Sequence, residues 1–117
     1  MNPRRHFFAA LLSGALAAGA LASAPALAED TTAIVLTLKD HKFQPAEVKA
    51  PAKKPIVITV KNLDTTPAEF ESKDLKLEKV VKGGAEITLN VRALSPGKYK
   101  FFDEYNEKTA VGYLIVE

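Results

Sequence analysis

Two glutamates one residue apart, Glu69 and Glu71, flank a phenylalanine in the run Glu-Phe-Glu-Ser. If residues 68–71 are extended, Phe70 turns to one side and both carboxylates turn to the other, about 7 Å apart. Paired anions at that spacing repel and raise each other's pKa unless a cation sits near them. The plainer alternative is two glutamates facing water on a sheet edge. Three further places carry groups able to bind or transfer a charge. His41 is the only histidine after residue 6, and a neutral imidazole is a good ligand for copper, iron or zinc. Phe43 shares its side of an extended chain and could shield it. Glu78-Lys79 and the run Asp103-Glu104-Tyr105-Asn106-Glu107 complete the set, and each taken alone reads as surface charge.

The elements that must position these groups begin after an export segment. In residues 1–28, Arg4-Arg5 precede an apolar, Ala/Gly-rich run, and Ala26-Leu27-Ala28 supplies a small-x-small cleavage pattern, placing cleavage after Ala28. The run is shorter and less apolar than the ~20 residues of a spanning helix. Arg4-Arg5-His6-Phe7-Phe8 suits a twin-arginine signal, although an ordinary secretory signal is basic here as well. Residues 29–117 form one domain. Without Arg4 and Arg5, the basic residues balance the 14 acidic ones, so the mature domain is neutral and has no electrostatic footprint for nucleic acid. The chain contains no cysteine, and its single methionine is Met1. The hydrophobic pattern must therefore hold the domain without disulfides.

That pattern is almost all period two. Ile34, Leu36 and Leu38, then Ile56, Ile58 and Val60, then Ile87, Leu89 and Val91 alternate with polar or exposed-type neighbours. Further strands are expected at residues 47–50, 68–71, 75–81, 98–102 and 111–116. Turn signals separate them at 51–55, 62–64, 83–84 and 95–97. Residues 72–82 could also be written as a short helix, but the alternation of Leu75, Leu77 and Val81 favours strand. The expected fold is all-β: a Greek-key antiparallel β-sandwich of about eight strands. No serine-histidine-acid set, P-loop or zinc spacing is present, which removes hydrolase and nucleotide readings.

Several stretches resemble a known family. Residues 101–112 follow the frame Phe-x-Cys-x-x-His-x-x-x-Met-x-Gly of blue-copper cupredoxins, but Asp103, Asn106 and Ala110 stand at the three ligand positions, with Gly112 closing the loop. A fourth ligand, a histidine after proline, is replaced by Ala68 after Pro67. Together with His41-Lys42-Phe43-Gln44-Pro45, Glu69-Phe70-Glu71-Ser72, Glu78-Lys79-Val80-Val81 and Glu104-Tyr105-Asn106-Glu107-Lys108-Thr109-Ala110, the chain resembles small periplasmic cupredoxin-like proteins found beside bacterial ferrous-iron permeases. The resemblance implies a cupredoxin-like sandwich, a periplasmic location, and a metal-binding role in high-affinity iron uptake. That role would be assistance to ferrous-iron oxidation or delivery to the permease, with iron and/or copper bound and no blue-copper centre. It also implies a ligand set drawn from His41, Glu69, Glu71, Glu78, Asp103 and Glu104, with Asn106 as a further candidate. Oxygen donors and one imidazole suit Fe(III), Fe(II), Mn(II), Cu(II) or Ca(II) and are poor for Cu(I). Ferroxidase activity and a metal-free adaptor to a membrane complex stand as alternatives.

Overall fold

The computed structural model describes residues 30–117. The export segment, its twin-arginine pair and the cleavage point after Ala28 lie outside the described residues. Nine strands run in the order β1 (Thr32–Lys39), β2 (Lys42–Gln44), β3 (Glu47–Ala50), β4 (Ile56–Asn62), β5 (Ala68–Ser72), β6 (Leu77–Val81), β7 (Glu86–Val91), β8 (Gly97–Asp103) and β9 (Val111–Val116). They form a four-stranded sheet ordered β2-β1-β4-β7 and a five-stranded sheet ordered β3-β9-β8-β5-β6.

Each sheet is mixed, which corrects the expectation of a purely antiparallel sandwich. β1 pairs with β4 in parallel, and β3 pairs with β9 in parallel. Parallel neighbours cannot be joined by a hairpin. The chain meets that requirement by leaving the first sheet after β2, passing through a cis Gln44-Pro45 bond and entering the second sheet as β3. The ninth strand, β2, is the one that periodicity misses. Three residues long, it pairs back onto β1 through Leu38↔Phe43. In the region with two possible readings, strand holds only for Leu77–Val81. Residues 73–76 form a turn that tucks Leu75 into the core.

The inward residues are those that the alternation marks. Leu36, Ile58, Val60, Phe70, Val81, Phe101 and Leu114 have no accessible surface. At one end of the core, three aromatic rings join the sheets. Phe43 of β2 meets Phe101 edge-on at 5.0 Å and Phe70 at 6.1 Å, while Phe70 and Phe101 stack at 5.5 Å. Such pairs contribute about 0.5–1.5 kcal/mol beyond their buried area. Gly112 lies opposite Phe101 across the β8–β9 ladder, and any Cβ there would strike the Phe101 ring. The glycine is therefore required by the ring packed over it. These rings fix the inner side of β5 and β8, and their outer side is thereby fixed too.

Candidate metal centre

The strand alternation of β5 sends Phe70 inward and leaves Glu69 and Glu71 half-buried on the outer face of the five-stranded sheet. Cross-strand register supplies the rest. Glu71 lies opposite Glu78 of the edge strand β6, and Glu69 lies opposite Val80. On the other side, Phe70 pairs with Asp103 and Glu71 with Phe102 of β8, so Glu104 emerges next to β5 in the 3-10 turn Glu104–Asn106. One carboxylate oxygen from each of Glu69, Glu71, Glu78 and Glu104 lies within 4.8 Å of the other three.

The group is electrostatically uncompensated. The ion pairs among the described residues are His41–Asp64 and Lys49–Glu117, and neither includes one of the four glutamates. Glu71 Oε1 is shielded from solvent yet accepts no hydrogen bond. A buried polar atom without a partner costs roughly 1–3 kcal/mol unless a proton, ion or water meets it. The Glu71 carboxyl is pushed up to about 7, first by its side-chain contact with Glu104, then by desolvation and by the charges of Glu104, Glu78 and Glu69. Glu69 is raised as well, first by its contact with Glu78. Beside Phe102 lies an open depression of about 240 Å³ lined by Lys73, Asp74, Lys100, Phe102 and Glu107. Its lysines and acids balance, so it presents no charge preference.

Two of the six residues picked from the sequence lie outside this group. His41 sits in the tight β1–β2 turn, where Asp40 and His41 both adopt left-handed backbone conformations (φ 53° and 58°). Asp64 holds that turn: Oδ1 accepts from the Asp40 N–H at 2.7 Å and Oδ2 from the His41 N–H at 3.0 Å. The imidazole Nδ1 is 3.7 Å from the same carboxylate. These donors hold the Asp64 pKa below its ordinary value, the His41 N–H most strongly. Asp103 is only 1% exposed and lies directly under the group. Both its oxygens are occupied: Oδ1 accepts from the Glu69 and Tyr105 N–H groups, and Oδ2 from Asn106 Nδ2.

Two other residues that shape the site, Asn62 and Ser72, were not singled out in the sequence as site residues. Buried Asn62 donates through Nδ2 to Thr66 and Val81 carbonyls at 2.9 and 3.2 Å and accepts from the Asp64 N–H at 3.0 Å. It thereby ties the 62–67 loop, and with it Asp64, to the end of β6. Ser72 donates to the Lys100 carbonyl at 2.6 Å and accepts from the Leu75 N–H, pinning the turn that returns the chain as β6 and brings Glu78 opposite Glu71. The Asn-x-Asp spacing and the serine closing Glu-Phe-Glu-Ser were the available signals.

Comparison with known proteins places this arrangement in context. A 41%-identical relative over 83 residues is an uncharacterised protein of Rickettsia prowazekii (strain Madrid E); the match covers 71% of this chain and 66% of the relative, just under two thirds of its length. Among solved structures, auracyanin A, a "blue" copper protein of Chloroflexus aurantiacus, superposes with a TM-score of 0.64 at 12% identity, covering 74% of this chain and 99% of its own. The metal-binding domain of the Cu(I)-exporting P-type ATPase CopA of Streptococcus pneumoniae D39, solved with Cu(I), superposes at 0.65 with 14% identity, covering 75% and 87%. An amicyanin mutant in the Cu(I) form superposes at 0.60 with 19% identity, covering 73% and 82%. Their likeness is one of fold. The sequence profile of the cupredoxin-like domain family matches residues 11–116, beginning inside the stretch read as an export segment. By that match and by its nine-stranded architecture, the chain belongs to the cupredoxin-like domain family.

Proposed function

We propose that this chain is a periplasmic metal-binding protein of an iron-uptake system, and that Glu69, Glu71, Glu78 and Glu104 hold the metal as cargo. One observation carries the reading: four carboxylates from three elements converge within 4.8 Å, with no cation among the described residues paired to them. Glu71 Oε1 adds a shielded acceptor that lacks a donor.

The donor set argues for a hard cation. Carboxylate oxygens favour Fe(III), Mn(II), Ca(II) and, among copper states, Cu(II), whereas Cu(I) prefers the thiolates and thioethers that this domain lacks. The copper named for the structural neighbours is thus not the expected occupant in its reduced form, and a blue-copper centre has no thiolate to form it. A site made of carboxylates also binds Fe(III) more tightly than Fe(II), which lowers the iron potential and assists oxidation by an external acceptor. Release to a membrane permease would complete the uptake step. The outward position of the group, on a sheet face rather than inside the sandwich, leaves the metal accessible for that transfer.

The test is thermal unfolding with Fe(II) under argon, Fe(III)-citrate, Cu(II), Mn(II) or Ca(II), for the protein and its Glu69→Gln/Glu71→Gln variant. A metal at 100 times its dissociation constant adds about 2.7 kcal/mol, a rise of more than ~10 °C for a domain of this size. The expected result is a rise with iron or Cu(II) that the variant loses. A protein indifferent to every metal would instead be an adaptor that binds its membrane partner through the sandwich alone.

A further inference from the structure

We infer that Asp103 is the positioning residue of the glutamate group, a buried carboxylate that sets where Glu69 and Glu104 stand without itself ligating. The inference rests on reading that group as a cation site. Asp103 is 1% exposed, and no lysine, arginine or histidine among the described residues pairs with it. A charge so removed from water must be compensated by hydrogen bonds. All the compensation visible here comes from three N–H donors: Glu69 N at 2.9 Å, Tyr105 N at 3.0 Å and Asn106 Nδ2 at 3.1 Å.

The identity of those donors decides the role. Glu69 is a member of the group, and Tyr105 directly follows another member, Glu104. A single oxygen, Asp103 Oδ1, therefore couples the start of β5 to the first turn of the 104–110 loop. The β5–β8 ladder pairs only Phe70↔Asp103 and Glu71↔Phe102, so the side chain of Asp103 takes over where main-chain pairing stops. The residue is itself anchored. Its N–H donates to the Ala110 carbonyl at 3.0 Å, and Phe101, two residues before it on the same strand, is stacked on Phe70. Partners that orient metal ligands in this way typically matter by 10–100-fold in affinity.

Asp103→Asn alone gives the two backbone donors a neutral amide oxygen in place of the carboxyl acceptor and forces Asn106 to turn its own amide over to keep a contact. The exchange D103N/N106D restores a donor-to-acceptor contact between the two side chains and moves the charge one step outward. Two readouts apply to the protein and both variants: the dissociation constant for Mn(II), a redox-silent cation that prefers oxygen donors, and amide hydrogen exchange at Glu69 and Tyr105 without metal. A positioning role predicts that D103N loses at least tenfold in Mn(II) affinity and exchanges faster at both amides, and that D103N/N106D recovers both. The inference is overturned if D103N binds Mn(II) as the parent does. It is equally overturned if the exchanged variant regains amide protection but not affinity, because the Asp103 charge would then act directly on the metal. If the parent protein binds no Mn(II), the same comparison is read with Fe(III)-citrate and Cu(II); if it binds none of the three, the cation-site reading fails before any variant is compared, and the inference falls with it. Amide exchange would in that case still report the clamp separately.

Discussion

Two regions of this domain treat the same chemical group in opposite ways. At the turn between β1 and β2, the Asp64 carboxylate receives two backbone N–H groups and lies beside an imidazole, and its pKa falls. On the outer face of the five-stranded sheet, Glu71 receives other carboxylates, one of its oxygens accepts nothing, and its pKa climbs to about 7. The first carboxylate is spent on holding a left-handed turn that His41 and Asp40 would not adopt cheaply alone. The second is left wanting a positive charge. Acidity of composition does not separate a hydrogen-bonded anion from an unpaired one; the supply of donors does.

The contrast is broken most forcefully from the structural side. Asp64→Ala leaves two N–H groups of the turn without their charged acceptor, at a cost of about 1.5–3 kcal/mol, or roughly 10 °C in melting temperature. Mn(II) affinity in the same variant should stay within twofold of the parent. A large loss of metal binding would mean that the 62–64 loop and the glutamate face act as one unit.

A smaller effect of opposite sign is expected at Glu71. Its folded-state pKa of about 7 lies above its ordinary 4.5, so the folded protein holds the extra proton between those values. The associated stability is fully present below about 4.5 and is lost as pH rises through about 7. Glu69, raised in the same direction, adds to the trend. The metal-free protein should therefore melt at progressively lower temperature from pH 5 to pH 8, measured by circular dichroism. Glu71→Gln should flatten that slope and melt above the parent at pH 8, while losing metal-induced stabilisation. Saturating metal should remove the slope as well, because it holds the carboxylates ionised. A steep slope surviving in Glu71→Gln would place the titrating group elsewhere.

Much of this division was legible in the sequence, for reasons that differ by element. Strands with one face on the core write their burial at every second residue, so Ile34, Leu36, Leu38 and Glu69-Phe70-Glu71 announce both their extension and their direction. β2 is too short for a period to develop, and its pairing rests on the left-handed turn that Asp64 holds from a distant loop. Parallel pairing was invisible because no local signal distinguishes it from antiparallel pairing. The meeting of Glu71 with Glu78 depends on register, which Ser72 and the turn at residues 73–76 set. The surroundings of Asp103 were not legible because a carboxylate's partners are three-dimensional, and nothing in Phe-Phe-Asp-Glu foretells that three donors converge on it.

The smallest effect sharpens the comparison at its finest point, His41. The sequence offers it as a ligand candidate, since it is the one imidazole of the domain. In the fold its side chain is about half exposed, faces Asp64 at 3.7 Å, and belongs to a turn in the other sheet from the glutamates. An exposed pair of this kind contributes about 0–1 kcal/mol. Asparagine also tolerates the left-handed conformation at this position better than most residues, so His41→Asn isolates the imidazole from the turn. The substitution should shift the melting temperature by no more than roughly 8 °C and leave Mn(II) and Fe(III) affinity unchanged within twofold. A tenfold loss of either would join the two regions into one site, with the imidazole reaching a metal that the glutamates alone do not hold.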